Sequence, residues 1–378
     1  MDAASLFDNL RDVASQFSSQ RNERQKRTHL DRADFDQLHQ AGYTQVALPV
    51  AQGGLWESGP ASTRLICDAL RILATGDSSV ALVSAMHPSV LSYWLTAVED
   101  AKTYEHWDSQ CAWITESVKA GKWWGTITSE PRSGGDVNKT RTVATPAEGT
   151  LNYLLTGDKH FGSGSGAMDY MVTTAKVPGE EAPDWFVVET RDRDWDGTSG
   201  ITLTGEWDGH GMIATQSHAF HFENLPATRI AWTNNLAEVS RKAGPLIGCW
   251  FTSVIVGIVD IAMQTAKEKL AGKPLGAYEQ TEWLHAAKEH WLINQALEGM
   301  LRAVETQADP RIDVLTGKTA IAELSESILL RLCKIIGGGT FSRHSPFGFW
   351  FEDVRSLGFL RPPWNLAYAG LADAYKIE

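Results

Sequence analysis

The sequence predicts an α+β fold with an N-terminal helical domain (1–112), a central antiparallel β domain (113–235) and a C-terminal four-helix bundle (236–378). Three observations predict it. Apolar residues recur at helical spacing in both outer thirds, and short β-type runs bounded by turn residues fill the middle. The 378 residues, 43% of them hydrophobic, are enough for several packed subdomains.

In the first third, Leu6, Leu10, Val13 and Phe17 fall on one helix face. Asp31 is placed to cap a short helix that Gly42 stops, and Pro60 opens another, with Ile66, Ala69, Leu70 and Leu73 on one side. Asp77 begins a further apolar helix, which Pro88 is expected to kink or break. The texture changes near Trp113. Five strands are expected within Trp123–Thr128, Asn152–Thr156, Tyr170–Ala175, Trp185–Glu189 and Ser217–Phe222. Helical texture returns near residue 236. Ile293, Leu297, Met300, Leu301 and Val304 form one stripe, and Ile321, Leu324, Ile328, Leu329, Leu332, Ile335 and Ile336 a longer one, stopped by Gly337, Gly338 and Gly339.

Net charge is −12, which argues against a nucleic-acid binder, since such affinity rests on clustered Lys and Arg. The four cysteines, Cys67, Cys111, Cys249 and Cys333, have no metal or dithiol spacing, and no metal is expected. Their scatter and the polar, acidic N-terminus suit the cytoplasm. Leu246–Met263, interrupted by Asp260 and two glycines, reads as a buried helix rather than a membrane span. The fifteen tryptophans are expected mainly to fill cores and contacts.

Three segments are suited to holding a ligand. Thr128–Asp136, TSEPRSGGD, follows an expected strand, and its small residues let backbone N–H groups come close to a ligand. Gly157–Tyr170 places Phe161 next to the hydroxyls of Ser163 and Ser165, a ring beside donors that suits a planar heterocycle. Ile335–Arg355 opens with a glycine-rich helix stop that leaves backbone groups unpaired. Each segment alone also reads as an ordinary turn, hairpin or cap.

In this order and at these distances the segments resemble the acyl-CoA dehydrogenase superfamily. Phe35–Leu55, Trp207–Ile230 and Gly257–Leu270 are similar to its other landmarks, so the resemblance covers nearly the whole chain. It implies FAD, or FMN as in some branches, and a small-molecule or acyl-CoA-like substrate. By position, Thr126, Ile127, Thr128, Ser129, Gly134 and Gly135 match the stretch along the flavin, and Phe161 and Ser163 match the family's Trp and Thr beside the ring. Gln280, Lys334, Gly337 and Gly338 match positions from which a neighbouring subunit clasps the adenine half, which implies a homodimer or homotetramer. Two departures concern ligands: Gly135 replaces a Ser that helps hold the pantetheine arm, and Lys334 replaces a Gln.

The largest departure is at the catalytic base. The family's Glu lies eight residues after an Asp. Here that Asp is Asp353 and the eighth residue is Arg361, which cannot serve as a base because its pKa is above ~12. Residues 356–372 contain no Asp or Glu, and the family's alternative position falls near Trp250. Three readings follow. The first is an FAD-dependent oxidoreductase of acyl-CoA dehydrogenase type with a displaced base. The second is a flavin monooxygenase on the same scaffold, which needs no α-proton base and makes His344 a candidate catalytic residue, with His160 and His87 of the same status. The third is a flavin- or CoA-binding subunit that has lost catalysis.

Overall fold

The computed structural model describes residues 2–97 and 99–377. Six helices come first: α1 (Ala3–Ser19), α2 (Arg21–Arg24), α3 (Arg32–Gln40), α4 (Gly59–Gly76), α5 (Ser78–Leu95) and α6 (Trp107–Lys119). Local signals set their ends. The Asp31 and Asp77 carboxylates accept from Ala33 N and Val80 N at the starts of α3 and α5, and Gly42 takes φ 92° just past α3. The Leu6–Leu10–Val13–Phe17 stripe is buried, as its spacing requires.

Two expectations are corrected here. Pro88 does not break α5, which runs on to Leu95. Proline removes the N–H that would bond the carbonyl four residues back, which is Ser84, and the buried Tyr43 hydroxyl donates to that oxygen instead at 3.0 Å. Trp113, taken as the start of the β texture, lies within α6, and the first strand begins at Trp124. Its ring packs edge-on against Trp124 and Tyr170, so its aromatic character serves a helix–sheet contact.

The middle of the chain forms a seven-stranded sheet of β1 (Trp124–Thr126), β2 (Val143–Pro146), β3 (Asn152–Gly162), β4 (Tyr170–Ala175), β5 (Asp184–Glu189), β6 (Ile201–Gly205) and β7 (His218–Arg229). The strand order is β1-β4-β5-β7-β3-β2, with β6 on the free N-terminal part of β7. All pairs are antiparallel except β1 with β4.

The remainder is helical: α7 (Leu236–Leu270), α8 (Ala277–Thr306), α9 (Arg311–Ile336), α10 (Pro346–Arg355) and α11 (Trp364–Ala374). Helices α7 to α10 pack together, and α7 also packs on α4 and α5, so the outer thirds of the chain share one apolar core. Arg71 of α4 pairs with Asp260 of α7, which also accepts from His290 of α8, tying three helices at one point. By length and composition α7 could cross a membrane, but 72% of its apolar window is buried inside the fold. Trp123, Trp124 and Trp250 are completely buried, whereas Trp291 is 60% exposed.

Candidate functional site

The end of β1 and the end of β3 meet through a bridge in which His160 N donates to Ser129 O at 2.8 Å. Ile127 is committed beneath this junction. Its side chain is buried, its N–H donates to Val172 O, and its carbonyl accepts from the Thr173 hydroxyl. Gly162 is required there, because a Cβ would lie 2.7 Å from Ile127 Cδ1. Above the junction are unspent groups. Among the described residues, the hydroxyls of Thr126 and Thr128 and the backbone N–H groups of Thr128 and Ser129 have no protein partner. Phe161 projects beside them, 58% exposed on a left-handed backbone (φ 58°), with its ring edge-on to Trp207. An exposed ring flanked by free donors fits a planar heterocycle with polar edges.

Ser163 has a fixed polarity. The Thr215 hydroxyl donates to Met212 O at 2.8 Å. Ser217 Oγ, 2.7 Å from Thr215, must therefore donate to it, and Ser163, 2.7 Å from Ser217, must donate to Ser217. What Ser163 can offer a ligand is a lone pair.

The loop after β1 is anchored by Glu130, whose carboxylate accepts from Lys159 Nζ at 2.6 Å, from Arg141 N, and from both the N–H and the hydroxyl of Thr142. Lys159 has no exposed surface and also donates to Thr174 O. Burial and the nearby Arg361 charge push the Lys159 amine below its ordinary value; Lys159 and the surrounding donors outweigh burial and hold Glu130 below its own. Arg361 reaches the same loop, donating to Ser129 Oγ at 3.1 Å, while Pro363 sits where a Cβ on Gly135 would fall, 2.9 Å from its Cγ. Gly135 thus leaves room for the Arg361–Pro363 segment. Lys318 of α9 clamps that segment from behind, donating to Leu360 O and Pro362 O.

Burial lowers the Lys318 amine to about 7. The unfolded chain holds this proton up to roughly 10.4, so the native state binds fewer protons between those values. Lys318 therefore adds stability as pH rises above 7. The unfolding free energy of the wild type minus that of Lys318→Met should grow by ~1.4 kcal/mol per pH unit between pH 7 and about 9, measured by urea denaturation.

Residues 125–225 match the acyl-CoA dehydrogenase middle domain family. TdsC from Paenibacillus sp. A11-2, solved with FMN and indole, superposes with a TM-score of 0.80 at 20% identity, covering 99% of this chain and 97% of that one. This is an acyl-CoA dehydrogenase-fold protein. YdbM of Bacillus subtilis (strain 168), which carries the acyl-CoA dehydrogenase name, is 23% identical over 93% of this chain and 91% of its own length. The dibenzothiophene monooxygenase of Mycolicibacterium goodii is 24% identical over 62% of this chain and 54% of its own.

On this acyl-CoA dehydrogenase fold the expected site residues form two groups. Thr126, Thr128, Ser129, Gly134, Gly135, Phe161, Ser163 and Arg361 are tied to the β1 and β3 ends. Gln280, Lys334 and Gly338 are exposed at the start of α8 and the end of α9, with Gly337 beside them. Those helices pack chiefly on each other and on α4, α7, α10 and α11. His344 is exposed before α10, and its ring makes no hydrogen bond among the described residues. His87 is completely buried between Thr44 O and Trp124 N, and burial holds it at about 3, so it stays neutral as a structural residue. Sequence reasoning missed Glu130, Lys159, Lys318 and Tyr93. Lys159 carries no local signal, since it sits in β3 between Asp158 and His160 in a strand of mixed polarity.

Proposed function

We propose that the protein is a flavin-dependent monooxygenase. The observation that carries this reading is Arg361, a cation, at the position where dehydrogenases of this fold hold their base. The monooxygenase relatives and the FMN-bound TdsC structure support it. The ring platform would hold the flavin: Phe161 against its face, Thr126, Thr128 and the Thr128 and Ser129 N–H groups along its polar edge. When bound in reduced form, the flavin supplies two electrons, so that one atom of O2 enters the substrate and the other leaves as water. Ser163 offers a lone pair, which suits the N–H-bearing reduced ring. FMN is favoured over FAD, because TdsC and KijD3 of this fold are solved with FMN, and Lys334 stands where the adenine clasp has a Gln. Phe161→Ala should weaken flavin binding by about 1–3 kcal/mol, read by fluorescence titration; unchanged affinity would remove Phe161 from the site.

The reading is tested by supplying chemically reduced FMN and 18O2 with indole, dibenzothiophene or methanesulfinate and analysing products by mass spectrometry. One 18O atom in a product supports it. No incorporation, with oxidation of an acyl-CoA to its enoyl product instead, overturns it.

We also propose a homodimer or homotetramer. Leu284 and Trp291 of α8 are 70% and 60% exposed one heptad apart, an apolar face that a second copy would cover. Light scattering should show the oligomer, and Leu284→Glu with Trp291→Glu should shift it toward monomer.

A further inference from the structure

Arg24, Arg32, Arg71 and Arg229 each meet carboxylates at 2.5–2.8 Å. Arg361 does not. It is half-buried, its hydrogen bond goes to the neutral Ser129 hydroxyl, and it has no ion pair among the described residues. Asp136 lies close enough to attract it, but one Asp136 oxygen is used in capping Asn138. Glu130 is already filled by Lys159, Arg141 and Thr142. A guanidinium withdrawn from water with one neutral partner is costly unless an anion completes it.

A second group lies within electrostatic reach of Arg361. Tyr93 of α5 is buried to all but 8%, its ring lies 4.8 Å from that of Trp185, and its hydroxyl has no protein partner among the described residues. Arg361 acts on that hydroxyl electrostatically, yet burial keeps it at about 12, so it remains a proton donor. Lys318, gripping the carbonyls on both sides of Arg361, holds the guanidinium in position from behind.

We propose that Arg361 and the Tyr93 hydroxyl form a seat for an oxyanion, a carboxylate or sulfinate, carried by a small organic substrate. Arg361 supplies a planar fork and Tyr93 a third donor, while the neutral Ser129 hydroxyl gives way or stays as a further partner. The seat deepens the monooxygenase reading by naming a substrate class, since it lies beside the loop that borders the ring platform.

The test uses the full-length protein as purified and isothermal titration with acetate, benzoate and methanesulfinate, each against an uncharged counterpart: acetamide, benzamide and dimethyl sulfoxide. At least one anion should bind tenfold or more tightly than its counterpart. Arg361→Gln should abolish that preference, Arg361→Lys should keep part of it, and Tyr93→Phe should weaken anion binding several-fold with an unchanged circular dichroism spectrum. No preference for any anion, or full affinity in Arg361→Gln, overturns the seat. Should Arg361→Gln fail to fold, unchanged anion affinity in Tyr93→Phe overturns it. Flavin binding and 18O incorporation are read separately. Anion binding without hydroxylation therefore supports the seat and counts only against the monooxygenase reading.

Discussion

Glu130→Leu should lower the unfolding free energy by about 4–5 kcal/mol and Lys159→Met by about 3 kcal/mol, both within the range for breaking a buried pair. The asymmetry follows from what each change strands. Without Lys159, the Glu130 carboxylate keeps Arg141 N, Thr142 N and the Thr142 hydroxyl. Without Glu130, those three donors and a lysine with no exposed surface lose their acceptor, and Lys159 retains Thr174 O alone. The double variant Glu130→Leu/Lys159→Met should recover part of the loss, because no buried charge is left unpaired, although Arg141 N and the Thr142 donors still lack their acceptor. Chemical denaturation of the three variants reads this directly. Equal and small effects, under about 1 kcal/mol, would mean that water reaches the pair. The loop from Thr128 to Asp136 should loosen with the anchor, so flavin affinity should fall in Glu130→Leu even where the protein remains folded.

This anchor shows where sequence reading ends. Asp31, Gly42 and Asp77 were legible because a helix end depends on residues within one turn of it. The Leu6–Phe17 stripe was legible because burial follows a fixed period. Glu130 and Lys159 are 29 positions apart, and although Lys159 lies on the same strand face as the buried Leu155, no local pattern says that a lysine on that face meets a carboxylate. Strands β2 and β6 went unread because they are four and five residues long with one fully buried position each, too short for their alternation to stand out. Pro88 misled because its compensating donor, Tyr43, lies on another segment. At the candidate site, Phe161 beside the Ser163 hydroxyl and the cation Arg361 could be picked out from residue type and spacing alone. The direction of the Ser163 proton, the free Tyr93 hydroxyl and the Lys318 clamp depend on contacts that no local pattern encodes.

Anaerobic mixing of the flavin-loaded protein with butyryl-CoA should leave the flavin spectrum oxidised. Dehydrogenation needs a carboxylate to take the α-proton as the β-hydride leaves, and a positioned base is typically worth 10²–10⁴ in rate. Among the described residues near Arg361 the carboxylates are committed, save one oxygen of Asp136 that lies 3.9 Å from the Lys139 amine. Residues 356–372 have none, Glu352 pairs with Arg355 at 2.7 Å, and Glu130 is saturated. Asp353, 6% exposed and raised to about 6 by burial, is fixed between Met212 N and the Ser78 hydroxyl. The alternative base position near Trp250 holds a completely buried indole edge-on to Trp56. Arg361→Glu places a carboxylate back at the family position, so slow bleaching by butyryl-CoA should appear in that variant alone. The new Glu would lie near Asp136, whose charge raises its pKa and favours proton transfer near neutral pH. Rapid bleaching of the wild type would show a base elsewhere and return the protein to the dehydrogenases. A wild type that stays oxidised while Arg361→Glu bleaches would locate the loss of dehydrogenation at this one side chain.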